Sequence, residues 1–208
     1  MMGGVDSVPV TGHQGGPLEV IPCSQRYVKK EQTVIKLQDM ARSCADFTIA
    51  DLNKHVWFKM KSQKKGKRTL MNSKGVEIAG YKQKSTSLHS TAYITGEVGG
   101  KTVVYATVKH GSYLKTFGPR VDVYIHKPPV DIYAVTTDGL MPDIKAKGDF
   151  DNKNYNFMMG SQKLAEVLPE WMNTKENNSY FVNIGRNVDI AFVCMCAMAI
   201  DEITSEAG

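Results

Sequence analysis

This sequence has no apolar stretch of the twenty or so residues that a helix needs to cross a bilayer. The longest it offers, Ile190 to Ile200, has eleven. Cysteine is scarce, and the four present, Cys23, Cys44, Cys194 and Cys196, form no disulfide framework. On a helix Cys194 and Cys196 would point about 200° apart, so all four read as small hydrophobes of a reducing compartment. The first residues lack the basic start and apolar core of a secretory signal, and Gly3 does not directly follow the initiator as a myristoyl signal requires. The expectation is a protein without a transmembrane segment, cytoplasmic and either peripheral at a membrane or partly nuclear.

Catalytic and metal signatures are missing as well. Five histidines (His13, His55, His89, His110, His126) are spread along the chain, and no Gly-x-Ser-x-Gly elbow fixes a nucleophile beside a base. Cys194-x-Cys196 has neither the two-residue gap nor the second half-site of a zinc centre. Asp149-x-Asp151-x-Lys153 lacks the glycine and the closing glutamate of a calcium loop. Gly100-Lys101-Thr102 ends like a phosphate loop, but Thr95 stands where its first glycine belongs and a strand follows instead of a helix. The sequence is therefore read as non-enzymatic, with no catalytic residues, metal or cofactor.

What is present is alternation. Residues 1–32 are rich in Gly and Pro and read as an arm. From Thr33 onward strand signals follow almost without a break: Thr33–Leu37, Ala45–Ile49, His55–Met60, Arg68–Met71, Val76–Gln83, Ala92–Val98, Thr102–Val108, Val121–Ile125, Asp131–Thr136, Ile144–Phe150, Tyr155–Met159, Gln162–Leu168 and Tyr180–Ile184. Gly99-Gly100 is the strongest hairpin turn, and the Pro128-Pro129 pair is expected to divide two strands or lie at an edge. Lys163–Met172 also admits one or two helical turns.

The run Ile190–Ile200 differs from all of these. Ala and Met favour a helix; the alternative, a central strand, would be unusually long and unalternated. Such a helix is apolar on every side, so protein must wrap it. Its core is expected from Ile190, Phe192, Val193, Met195, Met198 and Ile200, with Asn187 as N-cap and with Asp201 and Glu202 marking a return to solvent or a basic loop. The chain thus reads as a β-shell closed around its own C-terminal helix, mainly β, with the helix at about 188–203 and one barrel domain over 33–204.

Charge is unevenly placed. Lys54 to Lys84 holds ten Lys or Arg and one acid, Glu77, a local +9. Set against the +5 of the whole chain, that leaves −4 for all other residues. Lys59, Lys61, Lys64, Lys65, Lys67, Arg68, Lys74, Lys82 and Lys84 are the candidate site. Like charges this close repel unless solvent or an anionic partner relieves them. Anionic phospholipid gains roughly 1 kcal/mol per basic residue near its surface. Nucleic acid is disfavoured, because only Trp57, Phe58 and Tyr81 offer stacking faces in the window. A protein partner, or a lysine-rich face that only solvates, remains open.

The closing stretch, Val182-Asn-Ile-Gly-Arg-Asn-Val-Asp189-Ile-Ala191-Phe192 through Asp201-Glu202-Ile203, resembles the end of the LURP-one-related proteins. There a strand leads through a turn to Val-Asp-x-Ala-Phe, an apolar helix and Asp-Glu-Ile. Phe47-Thr-Ile-Ala-Asp51, Leu70-Met-Asn-Ser-Lys-Gly75 and Lys84-Ser-Thr-Ser-Leu88-His89 fit the same layout. That family is similar to tubby C-terminal domains and phospholipid scramblases. The resemblance implies a roughly twelve-stranded antiparallel β-barrel around a central C-terminal helix, with no catalytic residues. It also implies phosphoinositide tethering, as in tubby relatives, or a scaffold in stress or defence signalling, as linked to plant members. The Gly/Pro arm and an insertion at Pro169–Ser179 depart from the family pattern.

Overall fold

The computed structural model describes residues 25–38, 46–63, 67–84, 91–111, 119–170 and 179–205. Twelve strands follow in chain order: β1 (Thr33–Gln38), β2 (Phe47–Asp51), β3 (Val56–Ser62), β4 (Arg68–Asn72), β5 (Glu77–Gln83), β6 (Thr91–Val98), β7 (Lys101–His110), β8 (Arg120–Asp131), β9 (Ile144–Asp149), β10 (Asn154–Met159), β11 (Gln162–Pro169) and β12 (Ser179–Ile184). Each pairs antiparallel with its neighbour in sequence, and β1 pairs with both β2 and β12, so the sheet closes into a barrel. Closure leaves no strand without a partner on each side, although β1 meets β2 at only two residue pairs.

Alternation decides which side chains fill the barrel. Ile35 and Leu37 of β1, Phe58 and Met60 of β3, Ala92 and Ile94 of β6, and Val121 and Val123 of β8 are almost wholly buried. Inside them runs α1 (Ile190–Ser205), with every residue from Ile190 to Asp201 buried. Ile190, Phe192, Val193, Met195, Met198 and Ile200 all lie in this core. Cys194 and Cys196 are buried free thiols. Burial, with the charge of Asp189 beside it, raises both far above the ordinary thiol value, so they stay protonated.

The helix enters at one end of the barrel and finishes at the other. Its N-cap is Asp189, not Asn187. The Asp189 carboxylate accepts the Phe192 N–H at 3.2 Å and its carbonyl accepts the Val193 N–H at 3.1 Å. Asn187 sits two residues earlier in a left-handed turn (φ 59°) and donates its N–H to the Lys29 carbonyl at 2.6 Å. At the far end Asp201 and Glu202 do not regain solvent. Asp201 is bonded by Lys153 Nζ at 3.0 Å and by the Tyr180 hydroxyl at 2.7 Å. Glu202 pairs with Arg68 Nη2 at 2.7 Å. Cations at a helix C-terminus also oppose its negative dipole end.

Two strand expectations change. Val121–Ile125 belongs to one long strand, β8, which runs through Pro128-Pro129. The prolines fit because the β7–β8 ladder skips there, passing from Ala106↔Ile125 to Val104↔Val130, so their missing N–H groups break no pair. Of the expected strand Asp131–Thr136 only Asp131 is in a strand, as the last residue of β8, and the chain turns directly after it. The Asp131 carboxylate accepts the Tyr133 N–H at 2.9 Å and its carbonyl accepts the Ala134 N–H at 2.9 Å, the local bonding by which Asp favours turns over ladders. Lys163 to Leu168 is strand rather than helix. Gly99 and Gly100 take left-handed φ of 59° and 75° at the β6–β7 hairpin, as the primed turn demands.

Of the N-terminal arm, residues 1–24 lie outside the described residues; of the Pro169–Ser179 insertion, residues 171–178 do too, while Pro169 ends β11 and Ser179 begins β12. The arm's last residues are seated on the barrel: Val28 bridges to Asp189, and the Tyr27 ring meets Phe58 edge-on at 5.1 Å.

Candidate functional site

The nine basic residues of the candidate site separate in space. Lys64 and Lys65 lie outside the described residues. Lys74 sits in the β4–β5 turn, at the barrel end where the helix begins. The β3–β4 connection is at the opposite end, because successive hairpins of an up-and-down sheet turn at alternate ends. Arg68 shares its strand parity with buried Leu70, so it points into the barrel mouth, where Glu202 engages it.

Five lysines remain together on one outer flank. Lys59 and Lys61 alternate with buried Phe58 and Met60 on β3, and therefore project outward, about 7 Å apart along the strand. Lys82 projects outward between buried Tyr81 and half-buried Gln83 on β5, about 10 Å across the sheet from β3. The Arg68↔Tyr81 pair, continued by one residue, sets Lys67 directly opposite Lys82. Lys84 donates its backbone N–H to the Thr91 carbonyl at 2.9 Å, just beyond the end of β5. All five side chains are exposed, and none forms an ion pair with a described residue. Like charges placed directly opposite across a sheet destabilise it, so the Lys67–Lys82 juxtaposition carries a local cost that a bound anion would remove.

The structure extends this flank by one residue that sequence reasoning missed. Lys109 of β7 pairs with Thr91 of β6, which places it two strands across from Lys84. Its ammonium donates to Thr137 Oγ1 at 2.6 Å and lies 5.0 Å over the Tyr124 ring. No local signal marks Lys109, because only the barrel brings it near the basic window. Between Lys82 and Tyr124, the cross-strand row runs through Tyr93 and Thr107. These are neutral groups. Burial, then the charge of Asp122, raises the Tyr124 hydroxyl above its ordinary value. Burial holds His126, 2.9 Å from Thr107 Oγ1, below the ordinary imidazole value against the pull of Asp143. The flank is thus a lysine strip bordered by hydroxyls, able to hold anionic groups by charge and hydrogen bonding.

Among the described residues no helix is long and apolar enough to cross a membrane. The class defined by these features is a closed barrel with its C-terminal helix as core and a lysine flank outside. The sequence model of the LURP-one-related family matches residues 31–201, and the chain belongs to that family. The X-ray structure of a protein from Arabidopsis thaliana is similar in fold, with a TM-score of 0.58 and 17% sequence identity; the match covers 88% of this chain and 98% of that one. No curated protein matches the chain.

Proposed function

We propose that this chain is a non-enzymatic binding module that attaches to anionic phospholipid surfaces, phosphoinositide-rich ones above all, through the flank of β3, β4 and β5. The observation that carries the reading is the group of five exposed lysines, Lys59, Lys61, Lys67, Lys82 and Lys84, with no ion-pair partner among the described residues. Lysine ammoniums are mobile point charges, suited to headgroup phosphates of variable position. Attachment is peripheral, since charge rather than insertion supplies it.

Liposome co-sedimentation tests this. Vesicles carrying a phosphoinositide bind the wild-type chain, and binding weakens as salt rises. Lys61→Glu, Lys67→Glu and Lys82→Glu together lower the affinity by about a hundredfold or more, at roughly 1 kcal/mol per lost lysine. Binding that is absent, or unchanged in the triple variant, rejects the lipid reading.

One observation favours a second reading, a protein-interaction scaffold. The turn after β8 exposes Tyr133 (95%), Met141 (79%) and Leu140 (52%) in an ordered segment. Asp131, Asp138 and Asp143 accompany them, so an anionic membrane would repel this surface and a protein would not.

A further inference from the structure

The barrel is not equally sealed all the way round. β1 and β12 share six residue pairs, Thr33↔Ile184 through Gln38↔Ser179. On its other side β1 meets β2 at only two, Ile35↔Asp51 and Lys36↔Ala50. Below these the chains diverge, because β2 ends at Asp51 and turns away. Thr33 and Val34 are left paired on the β12 side alone.

The divergence opens a cleft of about 710 Å³, within the usual size of ligand sites. One wall is the segment Val28–Val34, the other the turn Asp51–Asn53, with Trp57 between them. Both walls are firmly held. Val28 bridges to Asp189 and the Lys29 carbonyl accepts the Asn187 N–H. Across the cleft Asp51 accepts the N–H groups of Asn53 and His55 at 2.9 and 3.0 Å and the Trp57 indole N–H at 3.1 Å. Burial would raise the Asp51 carboxyl, but these bonds prevail and hold it below its ordinary value. Its negative charge is thereby already occupied, and the indole plane is fixed. Lys29 Nζ stands 5.1 Å over that ring, and no described carboxylate pairs with it. Leu52 adds an exposed apolar surface at the rim.

We infer that this open β1–β2 seam is a peptide-binding site, which takes an extended strand carrying an apolar and an acidic residue two positions apart. Three features select that ligand. A sheet edge with main-chain groups left over is completed by another extended chain, whose backbone supplies the missing hydrogen bonds. Residues two apart in that chain face the same way. The apolar one then lies on Trp57 and Leu52, and the acidic one reaches the Lys29 ammonium, which exchanges a ring contact for a charge-assisted hydrogen bond. The site is separate from the lysine flank, although Trp57, Lys59 and Lys61 share the outward parity of β3.

Trp57 reports on occupancy once the chain's other tryptophan is replaced by Trp171→Phe. The full-length variant is titrated with a positional-scanning set of end-blocked pentapeptides. The expected result is a saturable blue shift with peptides of apolar-x-acidic pattern, lost when alternate backbone nitrogens are N-methylated. Lys29→Glu, an exposed substitution at a residue that pairs with no described carboxylate, should weaken the acidic peptides by about tenfold and favour their basic counterparts. No saturable change with any peptide of the set overturns the inference. So does binding that is indifferent to N-methylation or to Lys29→Glu. Liposome binding is read separately on the same variant, so failure here leaves the lysine flank to its own test.

Discussion

Asp189 meets two opposed demands. It caps the core helix, where a carboxylate is favoured by the positive end of the helix dipole. It is also 1% exposed, and burial pushes its carboxyl up from 3.8 to about 7 against the lowering effect of the Phe192 and Ala191 N–H groups. A folded-state value above the unfolded one means that the folded chain binds the proton more tightly. The stability this proton gives is complete below about pH 4 and is lost as pH rises towards 7. Asp189→Asn keeps the accepting oxygen without the charge. Urea unfolding should show the variant at least as stable as the wild type at pH 7.5, with the wild type gaining on it, by on the order of a few kcal/mol, as pH falls to 4.5. An equal loss at both pH values would mean that the cap geometry, not the buried charge, dominates. Residue-scale facts of this kind were only partly legible beforehand. Asn187 looked like the cap because Asn favours that place; the bond from its N–H to Lys29, remote in sequence, is what pulls it into the preceding turn.

At the scale of elements, strands were read more reliably than sites, for one reason. Alternation is local, and each strand carries its own. It failed where composition imitated a break: the Pro128-Pro129 pair lies inside β8 because a skip in the ladder excuses both missing N–H groups. The candidate site depended on parity and on hairpin ends. Arg68 has the parity of Leu70 and was bound to turn inward; Lys74 sits one turn further on, at the other end of the barrel. Both signals were in the sequence once the strand limits were fixed, whereas Lys109 became a neighbour only through the β6–β7 pairing. The inward turn of Arg68 has an energetic consequence. Its side chain is 10% exposed and that of Glu202 13%, so removing one partner strands a largely desolvated charge. Arg68→Met should cost about 3 kcal/mol, and Arg68→Met with Glu202→Leu should recover most of it in a double-mutant cycle of denaturant unfolding. The net-neutral double variant should bind phosphoinositide vesicles as the wild type does. A loss of binding there would return Arg68 to the lipid site.

The whole molecule follows from one helix that is apolar all round. A sheet that encloses it needs no second layer of secondary structure among the described residues, and its outward side chains are available for contact. Function can then be written on the outside without disturbing the core, which is how five lysines come to stand unpaired by described acids on one flank. The closed shell was legible from the helix, which needs a wrapping on every side; the twelve-stranded antiparallel barrel came from the family resemblance, since local patterns do not say which strand pairs the first with the last. The central claim is where the molecule meets an anionic surface, and amide NMR mapping on phosphoinositide nanodiscs tests it most directly. The account predicts perturbations centred on Lys59, Lys61, Lys67, Lys82, Lys84 and Lys109, with Lys74 and the β9–β10 side of the barrel unchanged. A footprint centred on Lys74, on Tyr133 and Met141, or spread evenly round the barrel would contradict it.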